Sequence, residues 1–231
     1  MDDMNANDIL MDLINRYPEL SICVKDIKDT FEMIKSAFSN NNKLLIAGNG
    51  GSAADSEHIV GELMKSFKFK RPLVIDYQTK LINQFGHEGE ILAGKLEGAL
   101  PAISLPSMTA LMTACVNDNE ADAVFAQMVV GLGMAGDILL AISTSGNSAN
   151  IYNACMVAKA KGMKVIGLTG KSGGRIKKLC DKSICVPAIE THIVQEYHLP
   201  VYHVLCSMLE FEFFACPLSD TQQYNPNPAL K

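Results

Sequence analysis

The chain has 231 residues, enough for one large domain or two small ones, and its 48% hydrophobic content supports a continuous core. Its 20 basic and 25 acidic side chains leave a formal charge of −5, and Lys and Arg never run beyond two in succession, so a phosphate backbone or an anionic membrane finds little to attract it. No apolar run approaches the ~18 residues of a membrane span. The opening stretch MDDMNANDIL is acidic where a signal peptide is basic. Seven scattered cysteines without a C-x-x-C pair read as buried thiols in a reducing compartment. The expectation is a cytoplasmic enzyme or binding protein with no direct nucleic-acid partner and no membrane partner.

Residues 7–39 carry apolar positions at helical spacing (Ile9, Leu10, Leu13, Ile14, then Ile27, Phe31, Ile34, Phe38), interrupted by Pro18, which predicts two helices before any strand. Five short runs rich in β-branched residues follow, at Leu44 to Ala47, Ala102 to Leu105, Ile138 to Ile142, Val165 to Leu168 and Ser183 to Val186. Each has the length of a buried strand. Helical patterns separate them at 53–66, 108–116, 121–132, 148–161 and 173–180, and a last helix is expected over about 192–214. Strands alternating with helices imply right-handed crossovers and an α/β fold: a three-layer α/β/α sandwich around a five-stranded parallel sheet. The stretch 67–101 is too long for a simple connection and reads as an inserted excursion with a helix near 88–97, in which His87 and Glu88 are surface residues. The domain plan is therefore N-terminal helices over 1–42, an α/β domain over 43–214 and a tail over 215–231, loose at Gln222 to Lys231.

Ligands of such sheets bind at the carboxyl ends of the strands, and the informative residues fall there. After the first strand comes GNGGSAADSEHIVGELMKSF, residues 48–67, where glycines and Ser52 open a helix bearing His58 and Glu62 at i and i+4, on one face. Taken alone that pair reads more readily as a surface salt bridge. After the third strand comes Ser143-Thr-Ser-Gly-Asn-Ser148, whose four hydroxyls and helix N-terminal N–H groups make an uncharged phosphate site. A nucleotide P-loop needs Gly-Lys-Ser/Thr and a dinucleotide fold needs G-x-G-x-x-G after its first strand; neither is present, so no nucleotide cofactor is expected and a sugar phosphate fits better. The C-terminal helix carries Gln195-Glu-Tyr-His198 and His203. At about 100° per residue Gln195 and His203 lie about 80° apart around the axis, and His198 about 140° from His203. His198 faces elsewhere or flanks the other two, and since a lone histidine on such a helix is usually a structural residue, His198 and His192 are read as structural.

GNGGSAAD with H-x-x-x-E, then ISTSGNS, GLTGKSGG and VQEYH…H, in this order over roughly residues 43–210, resemble the sugar isomerase (SIS) domain and, within it, the phosphoheptose isomerases. The resemblance implies a homotetramer held partly by the N-terminal helices, with active sites shared between subunits. It also implies isomerisation of sedoheptulose 7-phosphate to D-glycero-D-manno-heptose 7-phosphate through an enediol. Glu62 matches the base and His203 its acid/base partner. Ser52, Ser143, Thr144, Ser145 and Ser148 match phosphate-binding positions beside Gly50 and Gly51, and Asn49, Asp118, Thr191 and Gln195 match substrate contacts. Some members bind zinc at the positions of His58, Glu62, Gln195 and His203, although about 12 Å of ideal helix separates the Cα atoms of the last two. The excursion at 67–101 is longer than in the phosphoheptose isomerases and bears on substrate identity. The alternative reading is a non-catalytic SIS module that binds a sugar phosphate or a protein partner, similar to the bacterial protein that binds the replication initiator.

Overall fold

The computed structural model describes residues 5–215; the stretch from 222 to 231 and Cys216 lie outside them. Helix α1 (Ala6–Arg16) starts at Asn5, whose side chain accepts from the N–H groups of Asn7 and Asp8 while the Asp8 carboxylate accepts from Asn5 N–H at 2.8 Å. This reciprocal cap satisfies donors that an open helix end leaves free. Pro18 starts a 3-10 helix that runs to Cys23, and α2 spans Val24–Ser39.

The remaining elements alternate as expected: β1 (Leu44–Ala47), α3 (Gly51–Met64), α4 (Ile75–Ala93), β2 (Ala102–Ser104), α5 (Thr109–Asp118), α6 (Val124–Leu132), β3 (Ile138–Ser143), α7 (Ala149–Ala160), β4 (Lys164–Thr169), β5 (Lys182–Cys185) and α8 (Thr191–Glu210). All five strands are parallel, in the order β2-β1-β3-β4-β5, with Ile46 opposite Leu140 and Ala47 opposite Ala141. Alternation along the strands divides the core. Leu44, Ile46, Leu140, Ile142, Ile166 and Leu168 face the layer that includes α1, α2, α3 and α8, while Leu45, Ala47, Leu139, Ala141 and Val165 face α5, α6 and α7. Each of the Leu, Ile and Val side chains among them contributes about 1.5–3 kcal/mol by leaving water. The N-terminal helices belong to this core: Leu10, Leu13, Ile27, Ile34 and Phe38 are all buried in it.

Two expected helices differ. In the excursion, α4 begins at Ile75, well before residue 88, supported by an Asp76–Lys80 pair at 2.9 Å, and it bends at Gly86, where φ is 55°. The stretch 173–180 forms only a 3-10 turn at Arg175–Lys178, because Gly173 and Gly174 take φ values of 72° and 55° that no α-helix accommodates. Among the described residues no helix is long and apolar enough to cross a membrane.

Candidate active site

The sheet order reverses direction between β1 and β3, so the chain leaving β1 and the chain leaving β3 diverge, and a crevice opens at their carboxyl ends. GNGGS occupies one side of it and STSGNS the other. The two loops are tied together by a reciprocal amide pair: Asn49 Nδ2 donates to Asn150 Oδ1 at 3.0 Å, and Asn150 Nδ2 donates to Asn49 Oδ1 at 2.9 Å. Asn150, in the first turn of α7, is a residue that the motifs did not mark.

Ser52 is buried in the first turn of α3, its N–H donating to Asn49 O at 3.0 Å. Gly51 lets the Gln195 amide approach closely, since a Cβ there would stand 2.5 Å from Gln195 Nε2. Gln195 thus lies at the mouth of the first loop. In the second loop Ser143 Oγ lies 3.3 Å from Ser148 Oγ and accepts from Gly146 N–H at 3.1 Å, and Ser145 Oγ accepts from Asn147 N–H at 3.1 Å. Gly146, at φ 67°, crosses Gly173 and Gly174 backbone to backbone, where any side chain would collide. Thr144 O accepts from Gly170 N–H at 2.9 Å, so GLTGKSGG acts as a brace under STSGNS. The N-termini of α3 and α7 thus lie side by side, joined by the Asn49–Asn150 pair, with Ser52, Ser143, Ser145 and Ser148 in or beside the loops that lead into them.

A second cluster lies further along α3, where that helix packs on α8. His58 Nε2 is 3.2 Å from Glu62 Oε1, and His58 Nδ1 is 3.0 Å from the hydroxyl of Tyr202. The ring of His203 stands edge-on to His58 with centroids 4.9 Å apart, and Phe67 covers it at 5.6 Å. Burial pushes the His203 imidazole below its usual range, and the charge of nearby His58 adds to this while Glu62 opposes it. Its Nε2 is buried without a hydrogen-bond partner. His203 also forms part of the wall of a cavity of about 170 Å³ shared with Arg16, Tyr17, Phe67 and Lys68.

Behind the cluster a fully buried Arg71 pairs with Glu210 at 2.8 Å and donates to the carbonyls of Glu62 and Leu63 at 2.8 and 2.7 Å. The Glu210 carboxylate also accepts from the N–H groups of Phe67 and Lys68, each at 2.7 Å. This clip fixes the end of α3 that carries Glu62 and the turn that lays Phe67 on His203.

The remaining sequence candidates stand apart from that cluster. Thr191 is exposed at the first position of α8, and Asp118 is exposed at the last position of α5, where it accepts from Asn117 at 2.8 Å. His198 is fully buried. His87 and Glu88 are exposed. The six described cysteines are unpaired, and burial raises the thiols of Cys23 and Cys180 to about 11 and that of Cys155 to about 12, which makes them inert.

For a metal ion the donor types at His58, Glu62 and His203 suit zinc, and the unpartnered Nε2 of His203 is the kind of atom a metal satisfies. Among the described residues, however, no three His, Cys, Asp or Glu side chains are already arranged around one ion position.

A parallel sheet with paired serine-glycine loops at its switch point and an imidazole-carboxylate cluster beside it defines a class, the sugar isomerase domain proteins. The family model described as SIS domain matches residues 91–170. Phosphoheptose isomerase of Pelobacter propionicus is 36% identical over 213 residues, covering 90% of this chain and 99% of the relative. That of Nitratiruptor sp. is 42% identical over 177 residues, covering 77% and 81%. The solved structure of phosphoheptose isomerase from Neisseria gonorrhoeae superposes with a TM-score of 0.68 at 32% identity, covering 87% of this chain and 94% of that one. The chain belongs to the phosphoheptose isomerase family.

Proposed function

We propose that the protein interconverts sedoheptulose 7-phosphate and D-glycero-D-manno-heptose 7-phosphate. The observation that carries this reading is the pairing of a phosphate cradle at the N-termini of α3 and α7 with Glu62 and His203, an acid/base pair set around His58. Starting from the ketose, the Glu62 carboxylate removes a proton from C1 while the C2 carbonyl oxygen gains one, giving the enediol. Glu62 then returns its proton to C2 as the C1 hydroxyl loses its own, and His203 carries protons between the two oxygens. A neutral His203 suits that exchange, since it both accepts and donates. The cradle fixes the far end of the substrate, so that the reacting carbons meet the pair in one orientation.

The distance along α3 bears on assembly. At about 1.5 Å per residue, Ser52 and Glu62 lie about 15 Å apart along the helix axis. An extended seven-carbon chain spans only about 9 Å from C2 to phosphorus, at single-bond lengths of about 1.5 Å. In this reading the cradle of one copy and the acid/base pair of another make one site of a homotetramer, an arrangement that the separation along α3 favours. Zinc belongs to the same reading. His58, Glu62 and His203 would hold it, with Gln195 the fourth donor, Glu62 keeping one oxygen and His203 one ring nitrogen free for proton transfer. About 10 Å of α3 separates Gly51, beside which Gln195 lies, from His58, which favours a donor and a trio drawn from two copies. A bound zinc ion polarises a carbonyl and stabilises the enediolate. A cytoplasmic location fits the unpaired thiols.

The test is turnover of sedoheptulose 7-phosphate by the purified protein before chelation, after it, and after zinc is restored. Loss on chelation and recovery with zinc are expected. Turnover indifferent to chelation would remove the metal and keep the enzyme, and absence of turnover with zinc present would contradict the substrate.

A further inference from the structure

Asp55, the last residue of GNGGSAAD, and Tyr202 lie behind His58, and neither is among the residues expected to bind or react. The Tyr202 side chain is 2% exposed, and its hydroxyl lies 3.0 Å from His58 Nδ1 and 3.4 Å from Asp55 Oδ1. That hydroxyl has one proton and two acceptors within reach. Given to Nδ1, the proton would leave Asp55 with no donor, because Asp55 Oδ2 is buried and already lacks a partner. Given to Asp55, it makes a long hydrogen bond, at 3.4 Å, to the one acceptor that has no other donor, and the phenolic oxygen is free to accept from His58 Nδ1–H. The cost falls on Nε2 and Glu62, which then face each other without a shared protein proton. The side chains of His58 and Glu62 are 44% and 15% exposed, so this pair has surface that water reaches, whereas Asp55 Oδ2 has none. The balance favours protecting the buried carboxylate.

We infer that Asp55 and Tyr202 are positioning residues that, in the neutral state of His58, keep its proton on Nδ1 and turn the Nε2 lone pair toward Glu62. Nε2 and Oε1 then form a pair of acceptors 3.2 Å apart that receives a substrate hydroxyl or a cation. The opposite tautomer would place an N–H there and close the position to both. This deepens the isomerase reading and rests on it for its consequence, though not for its test.

The tautomer is read from long-range ¹H–¹⁵N spectra of the histidine side chains in the chelated, substrate-free protein, with the His58 signals assigned by their loss in His58→Gln. The Nδ1–H form is expected in the wild type and the Nε2–H form in Tyr202→Phe and Asp55→Ala. Both variants are expected to lose zinc affinity and kcat by about 10- to 100-fold, with KM little changed. An Nε2–H wild type, or Nδ1–H persisting in both variants, would overturn the inference. Tyr202→Phe keeps the buried ring, so a folding failure confined to Asp55→Ala leaves the comparison intact. Since the spectrum needs neither substrate nor metal, a protein without turnover still reports on His58.

Discussion

His198 shows how an unreactive histidine still shapes the behaviour of the molecule. It is fully buried, and burial pushes its imidazole from 6.5 down to about 4, against a smaller opposing effect from the Thr169 backbone. Unfolded, the same side chain takes up a proton as pH falls through 6.5; folded, it resists until about 4. The unfolded state therefore binds more protons in that window, and stability present above pH 6.5 is lost as pH falls toward 4, by up to about 3 kcal/mol. His198→Leu is expected to flatten the unfolding midpoint against pH between 4.5 and 6.5, as followed by thermal melts; an unchanged slope would assign the acid sensitivity elsewhere. A structural role for His198 was the reading its sequence context gave, since a lone histidine on an apolar helix is usually buried. The roles of Asn150, Tyr202 and Asp55 were not legible there, because each depends on a partner brought near only by tertiary packing, such as Asn49 or His58.

At the scale of elements, the ends of α3 and α8 are fastened by the Arg71–Glu210 clip. Removing one member leaves an uncompensated buried charge, which costs about 3–5 kcal/mol. Arg71→Leu is expected to lower stability by that amount in urea titration, and to misplace Phe67 and Glu62 in whatever folded fraction survives. A loss below about 1 kcal/mol would show that the pair is dispensable. In the sequence Arg71 looks like a surface residue of the basic stretch Lys68 to Arg71, and its partner lies 139 residues away. The strands were legible because buried parallel strands are short and rich in Ile, Val and Leu, so each run marks itself. The extent of α4 was not: its large side chains Ile75, Ile82, Phe85 and Ile91 are exposed, so its first half has no buried stripe for periodicity to detect.

At the scale of the whole molecule, the account divides the site into a cradle half and an acid/base half that meet between copies. Variants defective in different halves should therefore complement. Ser145→Ala with Ser148→Ala in one chain and Glu62→Gln in the other are each expected to be nearly inactive as pure assemblies. Assemblies refolded from a mixture would regain a fraction of wild-type activity, because some sites pair an intact cradle with an intact Glu62. Activity no higher than that of the parents would place both halves of the site within one copy. The central claim is that Glu62 removes the substrate proton in a sugar-phosphate isomerase. The most direct measurement compares turnover of sedoheptulose 7-phosphate by the wild type and Glu62→Gln, alongside phosphate-ester binding by each. Turnover by the wild type, its loss by about 10²-fold or more in the variant, and binding retained in both are the expected results. A variant that turns over at the wild-type rate, or a wild type that binds the ester and leaves it unchanged, would contradict the account.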